Sequence, residues 1–137
     1  MLSIDLHVNL HVQGAAGAAS PPVCFTCTFE DASDALAALP RMFIEPDGAF
    51  VWVSSNEPAW QLDGVLYDGA ESLWYVELKG RCREADFDRF LRALGWPQTL
   101  VAFQLVREAE WLNERDFRRY AGWTDPPDAV LPSAGPE

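Results

Sequence analysis

Residues 3–13, SIDLHVNLHVQ, alternate along their whole length: Ile4, Leu6, Val8, Leu10 and Val12 fall on one face, and Asp5, His7, Asn9, His11 and Gln13 on the other. A period of two belongs to a strand buried on one side, so this run predicts an extended segment with a core face and a polar face. Residues 23–29, VCFTCTF, repeat the pattern with Val23, Phe25, Cys27 and Phe29 on one side and predict a second strand. Between them, residues 14–22 have no period and several small, turn-forming residues, as a surface connection does.

Asp31 can cap a short helix whose Ala32, Ala35, Leu36 and Leu39 form a narrow apolar stripe, closed by Pro40. Residues 42–54 predict two short strands joined at Pro46-Asp47-Gly48, and residues 62–80 a longer hairpin. Phe87, Phe90, Leu91 and Leu94 have the spacing of one helix face, with Gly95 placed to end the helix. Another strand follows over residues 99–106, and Asn113 caps a last helix that ends at Gly122.

The order β-β-α-β-β-β-β-α-β-α predicts an α+β domain over residues 1–123. It would have a mostly antiparallel or mixed sheet of six to seven strands with two or three helices packed on it, followed by a flexible proline-rich tail over residues 124–137. A ferredoxin-like β-α-β-β-α-β arrangement suits the same order.

Composition narrows the function. With 137 residues, 49% of them apolar and 12% aromatic, the chain holds enough for one sizeable core. No secretory leader pattern and no membrane-length apolar run is visible, which points to the cytoplasm with no membrane partner. The odd cysteine count, Cys24, Cys27 and Cys82, favours reduced thiols. A net charge of −11 opposes nucleic-acid binding, because phosphate backbones draw their affinity from cations.

The candidate chemistry lies in the hairpin, where two carboxylates, Asp63 and Glu77, accompany the chain's single lysine, Lys79. A tight turn at Asp68-Gly69 would put the carboxylates on opposite faces. Apolar patterning requires instead that Trp74, Val76 and Leu78 share a face with Leu62 and Leu66, which sets Asp63 directly across from Glu77. Burial of large side chains, at ~1.5–3 kcal/mol each, outweighs differences between turns, so the patterned register is expected. Two carboxylates so placed can hold Mg²⁺, with the ammonium stabilising charge beside them. Nine of the ten basic residues are arginine, which marks the lone lysine further.

An aspartate opening one strand and a Glu-x-Lys late in the next, followed by a helix and a strand, resembles the core of the PD-(D/E)XK nuclease superfamily over residues 31–106. The resemblance implies a Mg²⁺-dependent phosphodiesterase, with Asp63 and Glu77 as metal ligands and Lys79 as a catalytic residue. Leu62 stands where the family has proline, and the charge is wrong for a polyanionic substrate.

The leading expectation is different: a binding domain with no chemistry and no cofactor of its own, engaging a protein or small ligand through a tryptophan-rich surface, with a homodimer as one form it could take. Trp52 and Trp74 sit in strands and are expected in the core, while Trp60, Trp111 and Trp123 flank turns or helix ends and are expected at the surface. His7 and His11 face the same way but lie ~13 Å apart along a strand, too far to share one metal ion. Both are expected to be exposed or hydrogen-bonded. Arg81 and Arg83 would lower the pKa of the Cys82 thiol between them.

Overall fold

The alternating N-terminal run forms a strand in the interior of the sheet. The computed structural model describes residues 1–14 and 23–123, so most of the 14–22 connection and the whole 124–137 tail lie outside the described residues. The elements are β1 (Leu6–Val12), α1 (Phe29–Ala37), β2 (Met42–Ile44), β3 (Ala49–Val53), β4 (Gln61–Asp68), β5 (Leu73–Gly80), α2 (Glu84–Ala93), β6 (Val101–Leu105), β7 (Glu110–Leu112) and α3 (Glu114–Tyr120).

The seven strands form one sheet in the order β2-β3-β4-β5-β1-β6-β7, and every neighbouring pair is antiparallel. The α+β class, the strand number and the three helices are as expected. No helix among the described residues is long and apolar enough to cross a membrane.

Two local differences refine the expected order. Residues 23–27 are not a strand. Phe25 is buried, its N–H donates to Leu73 O at 2.9 Å, and Leu73 N–H donates to Cys27 O at 3.0 Å, so the segment crosses the start of β5. Helix α1 then begins at Phe29, because the Thr28 hydroxyl accepts from Asp31 N at 3.0 Å and caps the helix three residues before the expected Asp31. Short β7, pairing Leu112 with Phe103, stands before α3. Asn113 caps α3 as expected, accepting from Asp116 N at 2.8 Å.

The core lies on one face of the sheet. Leu6, Val8 and Leu10 of β1, Phe50 and Trp52 of β3, Leu62 and Leu66 of β4 and Phe103 of β6 meet Leu36 of α1, Phe87, Phe90 and Leu91 of α2 and Phe117 of α3. Rings join the layers: Phe50 to Phe90 at 5.7 Å, Phe87 to Phe103 at 6.1 Å, and Phe103 stacked on Phe117 at 4.2 Å. Each such ring contributes about 1.5–3 kcal/mol when buried, so this face dominates the folding energy. Helices α2 and α3 are tied together by Arg118 of α3, which pairs with Glu84 at 2.8 Å and Asp88 at 2.8 Å in α2 and with Glu114 at 3.0 Å in its own helix.

Candidate functional site: the open face of the sheet

With the helices on one side, the opposite face of the sheet carries every second residue of each strand. Three cross-strand rows cover it. Phe43, Val51, Asp63, Lys79 and His7 form a charged row running from β2 to β1. Ala49, Val65, Glu77, Asn9, Gln104 and Trp111 form a polar row running from β3 to β7. Tyr67, Tyr75, His11 and Ala102 form an aromatic row over β4, β5, β1 and β6.

The hairpin register is partly as expected. Patterning selected the right parity, so Asp63, Glu77 and Lys79 do share a face. The strands are slid by two residues, however: Asp63 faces Lys79, and Glu77 faces Val65. The two carboxylates are therefore diagonal neighbours, for which the spacing is about 7–8 Å against about 5 Å for opposed residues. Residues 69–72 form the turn, closed by Gly69 N–H donating to Ser72 O at 2.8 Å, and a register shift follows between Tyr67 and Asp68. That irregularity brings Leu73 fully into the core and leaves Trp74, expected in the core, 38% exposed.

Glu77 is engaged by a residue that reading the hairpin alone could not supply. Because β1 lies beside β5, His7 Nε2 comes to 2.8 Å of Glu77 Oε2, and Tyr67 OH donates to Glu77 Oε1 at 3.2 Å. The His7 hydrogen bond, helped by Tyr67 and by the nearby charge of Lys79, holds the Glu77 carboxyl below its usual range although partial burial works the other way. An ionised carboxylate only accepts, so His7 carries its proton on Nε2 and Nδ1 holds a lone pair when the ring is neutral. Asp63 accepts from the Gln61 amide at 2.8 Å. No group of three or more His, Cys, Asp or Glu side chains suited to a metal ion occurs among the described residues.

The aromatic row is continuous. Tyr67 stacks on Tyr75 at 4.5 Å, Tyr75 on His11 at 4.8 Å, and Trp111 leans across small Ala102 to reach His11 at 5.0 Å. Trp74 meets Tyr75 edge-on at 5.0 Å. His11, expected exposed or hydrogen-bonded, is instead buried: the residue is 9% exposed, its ring lies between Tyr75 and Trp111, and Nδ1 has no hydrogen-bond partner among the described residues. Burial pushes the His11 pKa down, since a charged ring would lose its water.

Of the tryptophans expected at the surface, only Trp111 is exposed. Trp123 is buried against Phe87 at 5.1 Å, and its indole N–H donates to Cys82 O. Trp60 packs edge-on against Trp52 at 5.0 Å with only a small edge reaching solvent. Both follow connections that fold back onto the core, which position in sequence cannot show. Cys82 reverses its expectation: the thiol is fully buried, and burial together with Asp86 and Asp88 pushes its pKa up.

Two adjoining cavities open at the end of the sheet where β1 and β4 begin and β5 ends. One, of about 860 Å³, reaches from Arg41 and Trp60 to Arg81; the other, of about 380 Å³, holds His7, Asp63, Lys79 and Arg107. Asp5, Gln61 and Gly80 line both, so they form one trench. Gly80 adopts φ +126°, and a Cβ there would collide with Gln61 O, which keeps the trench floor bare.

No family model, curated protein or solved structure matches the chain, so the site stands on its own geometry.

Proposed function

We propose that the chain is a binding module without chemistry of its own, which docks a cationic protein partner on the aromatic end of its open sheet face. The observation that carries this reading is the stack of Tyr67, Tyr75, His11 and Trp111 across the strands on the side away from the helices, with Trp74 38% and Trp111 36% exposed at its margin. Aromatic rings with a polar edge are the residues that dominate protein interfaces once desolvated. Asp68 and Glu71 share a cavity with Trp74, and Glu110 precedes Trp111, so the rim of this end is acidic in a chain of net charge −11. A basic surface complements it. The buried Nδ1 of His11, without a hydrogen-bond partner among the described residues, adds a polar atom that a partner can reach only by pressing into the stack.

The test is reconstitution with a partner captured from the source organism's lysate and then purified. A Trp74→Ala/Trp111→Ala double variant should bind it at least tenfold more weakly while keeping the wild-type unfolding midpoint, and added salt should weaken the wild-type complex. Equal binding by both proteins would overturn the reading. Concentration-dependent self-association lost in the same variant would replace the cationic partner with a second copy.

A Mg²⁺-dependent phosphodiesterase is the second reading, favoured by the shared face of Asp63, Glu77 and Lys79. It requires Glu77 to give up His7 and Tyr67 to a metal. Calorimetric titration with Mg²⁺ or Mn²⁺ separates the two: heat that disappears in Asp63→Asn supports the enzyme, and no heat from wild type supports the module.

A further inference from the structure

The trench gathers a disproportionate share of the chain's few cations. Arg41, Lys79, Arg81 and Arg107 are four of only ten basic residues, whereas Asp5, Glu57 and Asp63 are three of twenty-one acids. Elsewhere acids outnumber bases by a wide margin, so the segregation is strong.

The trench carboxylates are also partly occupied. Asp5 pairs with Arg81 at 3.4 Å, and Asp63 accepts from Gln61. Arg107 donates to the backbone oxygen of Asp5 at 3.0 Å, which fixes its head group at the trench wall. Arg41 and Lys79 have no carboxylate within ion-pair distance among the described residues, although acids are plentiful. The Arg81–Asp5 pair has side chains 56% and 67% exposed, where water screens an ion pair to little net value, so Arg81 can turn to a better acceptor at little cost.

Arg41 carries a second mark. It adopts φ +61°, a left-handed conformation that is unfavourable for a residue other than glycine. The bond from Val53 N–H to Arg41 O, at 3.3 Å, helps hold it there. Strain of this kind concentrates where a side chain must be aimed. The cavity beside Arg41 offers more than charge: Ser55 and Asn56 line it with polar groups, and Trp60, Ala59 and Val53 with apolar surface.

We propose that the trench is a binding site for a small organic anion that carries two acidic groups, phosphate or carboxylate. One group sits between Arg41 and Arg81, and the other between Lys79 and Arg107, with the body of the ligand on the Trp60 side. Guanidinium groups take either oxyanion in a fork, and Lys79 adds a compact charge beside His7. The site is separate from the aromatic end, so it does not depend on the docking reading.

Calorimetry at low ionic strength tests it with citrate, fructose 1,6-bisphosphate and ADP, which present carboxylates alone, two separated phosphates, and adjoining phosphates on an aromatic body. EDTA is included so that no divalent cation bridges ligand and protein. At least one probe should bind with a Kd of about 1 mM or tighter, and Arg41→Gln and Lys79→Gln should each weaken it about tenfold, the loss of one charge-assisted contact. Arg92→Gln, on the helix side, should bind like wild type, and so should the Trp74→Ala/Trp111→Ala variant. Which probe binds assigns the acidic group. Failure of all three probes, or wild-type affinity in Arg41→Gln and Lys79→Gln, overturns the proposal.

Discussion

The two faces of the sheet are built from the same strands and differ in how completely they satisfy themselves. On the helix side Val8, Leu62, Leu78 and Phe103 are wholly buried, and at its margin Arg118 is taken by three carboxylates. On the open side the stacked rings run from buried His11 to exposed Trp111, and among the described residues His11 Nδ1 has no hydrogen-bond partner and Lys79 has no carboxylate within ion-pair distance. The closed face explains why the chain folds. The open face holds the unspent hydrogen-bonding and charge capacity, which is where a ligand or partner finds something to bind.

The largest expected effect tests that division directly. Phe103→Ala removes a ring packed between Phe87 and Phe117 and should cost about 3–5 kcal/mol in urea unfolding. Tyr75→Ala removes a ring that stacks on two neighbours across the open face, and should cost only about 1 kcal/mol. Similar losses from both would mean that the open face is a second core and not a binding surface.

Periodicity made much of this fold legible, and its failures have physical causes. The alternation of residues 4–12 told which side chains of β1 share a face, but alternation is silent about neighbours. That β1 inserts between β5 and β6 is a long-range event, and His7 therefore reached Glu77 unannounced. In the hairpin, burial selected parity, because slipping by one residue would expose Leu62 and Leu66. A slip by two exposes nothing, so the turn and the bulge at Trp74 chose the register. Thr28-Phe-Glu-Asp31 was a readable signal that the alternating apolar positions of residues 23–29 obscured, since a threonine followed three residues later by an acid marks a helix start. The trench was least legible, because its cations come from α1's exit, β5 and the β6–β7 connection and meet only in the folded chain.

The smallest effect is the sharpest test of the open face, since it asks whether one unsatisfied imbalance there can be removed. His11 has its pKa lowered by burial, so its neutral form favours folding above the usual histidine value of 6.5, and that contribution is lost as the pH falls below it, where the unfolded chain takes up the proton more readily. His11→Phe keeps a ring between Tyr75 and Trp111 while removing both the titration and the unpartnered nitrogen. At pH 8 the variant should differ from wild type by less than about 0.5 kcal/mol, because one buried aromatic ring replaces another. Between about pH 6.5 and pH 5 its urea midpoint should decline less steeply than wild type, since no buried imidazole then has to be charged. Parallel declines would assign the acid sensitivity to other groups and leave His11 as packing alone. A shallower decline accompanied by weaker partner binding would separate the two roles of the ring, with Nδ1 serving recognition at a small cost in acid stability.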